Sequence, residues 1–150
     1  MSIDQSTRST PTATDLSGRW NHTSYRLDTG EPDNPKAQIW ASGRLDWVET
    51  PQAGHLNTLQ GTLTLPSRVT LDVRGRRDPD LFGGTGGIVL QGKGSVPSEG
   101  KSIALLYDLI GALTQGPRGG LAITGAIRAS GHDPKGTGAI GIFVLVPAQS

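Results

Sequence analysis

From Leu16 onward, apolar residues recur in short runs broken by Gly, Pro and Asp, and no segment keeps the three-to-four-residue spacing of a helix face. The period of two is clearest in the middle of the chain. Leu59, Leu63 and Leu65 alternate with Gln60, Thr62 and Thr64, and Val69, Leu71 and Val73 alternate with Thr70, Asp72 and Arg74. Successive strand residues face opposite ways, so each segment has one apolar face and one polar face. Strands are expected over 19–27, 37–49 with a break at Gly43, 59–65, 69–74, 87–94, 103–113, 121–129 and 139–146. About eight strands is the number at which a closed barrel has an interior that side chains or one small ligand can fill. Closure also removes exposed sheet edges. The expected fold is therefore all-β, an antiparallel closed barrel of about eight strands, whose interior takes Leu63, Leu65, Val69, Leu71 and Val73.

The last strands break the alternation. Within 103–113, Ile103, Leu105, Tyr107 and Leu109 occupy one face, while Ala104, Leu106, Ile110 and Ala112 occupy the other, interrupted by Asp108. In the final strand Phe143 and Leu145 oppose Ile140, Ile142, Val144 and Val146. A strand apolar on both faces is covered on both. Inside a closed barrel only one face can be covered by the chain's own core, so the sequence leads us to expect a homo-oligomer that meets through the outer face of the C-terminal strands.

Composition narrows the class without naming a chemistry. The 150 residues suit one domain, expected over 16–150 and preceded by a flexible, Ser/Thr-rich tail over 1–15. The run 28–35 reads as a loop. The 22 glycines are about twice the ordinary share and are scattered among strand formers, as curved sheets require. Fourteen basic residues against thirteen acidic ones leave no broad field for a phosphate backbone, so no nucleic-acid partner is expected. The densest basic run, Arg74, Arg76 and Arg77, is followed by Asp78 and Asp80 and reads as a solvated strand end. The chain has no cysteine, the tail lacks the apolar core of a secretory signal, and no run is long enough to span a membrane. The expected setting is cytoplasmic, with no membrane partner.

Leu16-Ser17-Gly18-Arg19-Trp20, at the start of the first strand, resembles the Gly-x-Trp opening of lipocalins and related calycin barrels. The resemblance implies a barrel with a ligand-sized interior, in which Trp20 closes one end and packs against a late-strand arginine, a role Arg128 could fill. Gly-x-Trp also opens avidin-like barrels, but Asn21-His22-Thr23-Ser24-Tyr25 does not reproduce their biotin-binding pattern.

Other motifs fail on context. The stretch from Gly87 to Gly94 is one residue short of a phosphate-binding loop, yet its spacer Ile88-Val89-Leu90 wants a strand and no helix follows. Gly136, Gly138 and Gly141 match the spacing of a dinucleotide fingerprint, but an apolar strand follows where a helix is needed. His22, His55 and His132 are too far apart for a recognisable metal site, and no cofactor is expected. Asn21-His22-Thr23 fits a glycosylation acceptor and is read as plain strand sequence. Asp108 interrupts an apolar strand and could act as an acid or base if it faced the interior; an outward position, in water or paired with an arginine, is the expected one.

The function expected from this pattern is binding of a small apolar or amphipathic molecule inside the barrel, with Trp20, Trp47, Leu63, Leu71 and Tyr107 as candidate ligand contacts. Two alternatives remain open: a barrel isomerase or cyclase that orients a hydrophobic substrate, and an interaction protein with a filled barrel. No catalytic residue stands out.

Overall fold

The computed structural model describes residues 15–28, 36–115, 120–129 and 140–148. Residues 1–14 of the expected tail over 1–15, most of the expected loop over 28–35, Gly136, Gly138, His132 and the side chain of Trp40 lie outside the described residues. Eight strands follow one another: β1 (Gly18–Asp28), β2 (Lys36–Gln52), β3 (His55–Thr64), β4 (Thr70–Asp78), β5 (Gly87–Ser98), β6 (Lys101–Gln115), β7 (Leu121–Ala129) and β8 (Ile140–Pro147). Each pairs antiparallel with the next, and β1 pairs with β8, so the sheet closes into a barrel. No helix among the described residues is long and apolar enough to cross a membrane.

The alternation read from the sequence sets which side chains enter the barrel. Leu63, Leu71 and Val73 are buried, Leu65 packs against them half-buried, and Val69 lies just before β4, where its carbonyl accepts the Leu65 N–H at 2.7 Å. In β6 the face carrying Leu109 and Leu113 points inward, and in β8 the inward pair is Phe143 and Leu145. The outer face of the later strands therefore presents Ile110, Ile140, Ile142 and Val146, all exposed. Over β2 to β5 the outer face is mostly polar, with Asp46, Gln60, Asp72, Arg74 and Lys93 exposed; the apolar exceptions are Val48 on β2, which is exposed, and Val89 on β5, which is half-buried beside Ile110.

Two strand boundaries differ from the sequence reading for identifiable reasons. β2 runs through Gly43 without a break, because there the glycine admits close approach by β3: a side chain at 43 would collide with the Thr64 carbonyl oxygen and meet Leu65 Cδ2 at 3.1 Å. β5 and β6 continue well past Gly94 and before Ile103 as a long hairpin closed by Glu99 and Gly100, both left-handed with φ of 51° and 76°. Two consecutive left-handed residues match the twist of the flanking strands, which lets the ladder run to the turn. The β1–β2 ladder carries one irregularity: Ser24 pairs with Ala41 but Tyr25 pairs with Ile39, leaving Trp40 as the extra residue of a bulge.

Glycines on the inner surface make room for the largest core side chain. A Cβ at Gly111 would lie 2.7 Å from Phe143 Cζ and 3.0 Å from Ile123 Cγ2. Phe143 itself is fully buried, so the missing side chain of Gly111 is filled by the ring on β8.

Candidate functional site

The two ends of the barrel differ in chemistry. At the end where β1 begins, Leu16 is fully buried and its carbonyl accepts the indole N–H of Trp20 at 2.9 Å. Trp20 meets Trp47 edge to face, with ring centroids 5.8 Å apart. Beside them Glu49 and Arg77 form a buried ion pair, Arg77 Nη1 lying 3.0 Å from Oε1 and 3.2 Å from Oε2 of Glu49. The backbone N–H of Leu16 donates to the same carboxylate at 2.9 Å, and Asn57 Nδ2 donates to its other oxygen at 2.9 Å. Ser17 Oγ accepts the Glu49 N–H at 2.8 Å. The segment 15–17 is thus tied across this end, which is closed.

This arrangement corrects two expectations. Trp20 has no contact with Arg128, which lies on the outer face and pairs with Asp108 at 3.1 Å. Asp108 therefore faces outward, paired within its own chain. Arg77 is not at a solvated strand end: it is 6 % exposed and enters the barrel on the same face as Leu71 and Val73.

Toward the other end the interior opens into a recess lined by Leu45, Leu63, Leu65, Leu71, Val73, Leu90, Leu109, Ile127 and Leu145, with Ala41, Gly92, His22, Ser24 and Tyr107 among them. The cavity between these side chains is about 40 Å³. That is room for roughly three waters, or for one end of a larger molecule. Gly92 borders the recess, and a Cβ there would touch Leu71 and Val73 at 3.6 to 3.9 Å, ordinary van der Waals contact without collision.

Three polar side chains face this apolar wall. Ser24 Oγ donates to the Ala41 carbonyl at 3.3 Å. Tyr107 is half-buried and has an interaction partner. His22 is 3 % exposed and stacks on Phe143 with centroids 6.3 Å apart, and its imidazole makes no hydrogen bond to any described residue. Burial without a compensating charge pushes its pKa down to about 4, so the ring is neutral at pH 7. No group of three metal-ligating side chains comes together among the described residues.

Of the residues singled out in the sequence, Leu63, Leu71 and Tyr107 line the recess, while Trp20 and Trp47 lie at the closed end and are not among its lining. The histidine at the recess and the buried ion pair were not anticipated. Their signal was parity: His22 and Ser24 share the face of Trp20, Glu49 that of Leu45 and Trp47, and Arg77 that of Leu71 and Val73. The stretch from Gly87 to Gly94 that approaches a phosphate-binding loop is strand β5, and His55 is exposed at the start of β3. No family model, curated protein or solved structure matches this chain.

Proposed function

We propose that the barrel binds one end of a small apolar or amphipathic molecule, inserted into the recess bounded by Leu63, Leu71 and Tyr107. The observation that carries this reading is a neutral imidazole with no hydrogen bond from a described residue, held in an otherwise apolar wall around a space that no described side chain fills. Ligand sites pair apolar walls with a few placed polar groups in this way. Binding is favoured over catalysis because an imidazole with a pKa near 4 accepts protons poorly at neutral pH. The lipocalin-like resemblance is kept as an analogy of architecture, with Trp20 at the closed end and Leu16, rather than a late-strand arginine, as its cover. A cytoplasmic setting belongs to the same reading.

Gly92→Leu tests it, because the new side chain has room at its base and fills the recess. In a methyl-NMR titration, benzyl alcohol is expected to shift the Leu63 and Leu71 methyls of the parent and to leave those of Gly92→Leu unmoved. Leu16→Ala, at the far end, is expected to lose about 2 to 4 kcal/mol of stability and to keep the shifts. Shifts that survive in Gly92→Leu, or none in the parent, would remove the reading.

We also propose that copies of the chain associate through the outer face of β6 to β8. Val89, Ile110, Ala126 and Ile142 form one row across four strands. Ile140 extends it, next to the exposed Asp108–Arg128 pair. A two-fold axis passing by the Asp108–Arg128 pair would set Asp108 of one copy near Arg128 of the other, so that the patch complements itself in charge as well as in apolar character.

A further inference from the structure

We infer that the recess selects uncharged molecules bearing a hydroxyl or carbonyl group, which hydrogen-bonds the imidazole of His22. This rests on the recess being a binding site, as proposed above, and names the chemistry of what enters it. The polar groups in the wall are unequal. Ser24 spends its hydroxyl proton on Ala41, and Tyr107 has a partner of its own. His22 alone lines the recess with no hydrogen bond from a described residue.

A molecule whose end enters the recess covers the little solvent contact this ring retains. An alkane or plain arene would then leave its nitrogens sealed in without a partner, at the cost of desolvating a polar group. A hydroxyl or carbonyl oxygen replaces the lost water. A neutral imidazole offers an N–H to a carbonyl and an unprotonated nitrogen to a hydroxyl, so either group can be served. A carboxylate meets the opposite situation. No Lys or Arg among the described residues lines the recess, and the nearby ring carries no charge, so an anion entering there would be desolvated without a counter-ion from them.

The test is a matched series of one ring size, toluene, benzyl alcohol, benzaldehyde and benzoate, titrated into the full chain at pH 7 and followed at the Leu63 and Leu71 methyls and the His22 ring nitrogens. Benzyl alcohol and benzaldehyde are expected to bind about fivefold tighter than toluene, the size of one net hydrogen bond, and to shift the His22 nitrogens. Benzoate is expected to bind at least about tenfold weaker than the alcohol. In His22→Leu the alcohol and toluene are expected to converge, while His22→Gln, which keeps a donor and an acceptor, retains the preference. Equal affinities across the neutral series with an unmoved His22, or benzoate as the tightest ligand, would overturn the inference and leave the recess standing as a site. If no member of the series reaches the recess, the proposed function itself falls. The parent series decides the matter even if a His22 variant fails to fold.

Discussion

His22 couples the recess to pH through its own burial. Its pKa is about 4 in the fold against an ordinary value near 6.5, because the charged ring would have to exist among apolar neighbours beside Phe143. Since the folded value is the lower one, the unfolded chain takes up the proton first as pH falls. Stability is therefore complete above about pH 6.5 and is lost progressively down to about pH 4, by roughly 3 kcal/mol in total. Chemical denaturation of the parent at pH 7 and pH 4.5, set beside His22→Leu, is expected to show a smaller fall in the variant. An identical fall in both would mean that His22 does not titrate as a buried neutral ring.

At the scale of the elements, one carboxylate joins three strands and the segment before β1. Glu49 on β2 receives Arg77 from β4, Asn57 from β3 and the backbone N–H of Leu16. All its partners are donors, so the group is well satisfied as a buried anion. Such a pair adds little net stability over an apolar pair of the same shape, yet breaking it from one side is costly. Arg77→Met is expected to cost about 3 to 5 kcal/mol by equilibrium unfolding, because Glu49 is left buried without its counter-ion. Adding Glu49→Leu to Arg77→Met is expected to cost less than the sum of the single changes, by at least about 1 kcal/mol. Additive losses would show that the two groups do not act as a pair. The same end accounts for Trp20: its N–H is used by Leu16, and its ring packs on Trp47, so it serves the closure of the barrel.

For the whole molecule, the outer surface divides into a mostly polar part over β2 to β4, in which Val48 is exposed, and an apolar patch that runs from Val89 on β5 across β6 to β8. Ile110, Ile140 and Ile142 are 42 %, 54 % and 44 % exposed, close enough in register to form one patch. Four strands about 4.8 Å apart and some six residues of length give on the order of 400 Å² per copy, about half of what a standard interface buries on each side. A weak dimer is therefore expected, with sedimentation showing dimer at about 100 μM and dissociation on dilution to about 1 μM. Ile142→Lys is expected to give monomer throughout without loss of fold, since the side chain already reaches solvent. A parent that stays monomeric at the higher concentration would remove the proposed contact.

The number of strands, their antiparallel order around a barrel and the inward set of the middle strands were legible in the sequence because a period of two is a local property. Leu63, Leu71 and Val73 alternate with polar neighbours, and a shift of one residue would turn all three to water. That β6 and β8 are apolar on both faces was equally legible, but which face turns inward was not. Register with neighbouring strands decides it, and here Phe143 goes inward into the space left by Gly111 on β6, 32 positions earlier in the chain. The chemistry of the two ends was likewise a tertiary decision. Glu49 and Arg77 are 28 positions apart and read separately as surface charges; only the closing of β2, β3 and β4 side by side brings them together and buries both side chains. His22 reads as an ordinary strand residue until the barrel closes around it, because burial, and with it a lowered pKa and a ring that faces a recess, comes from strands far away in sequence.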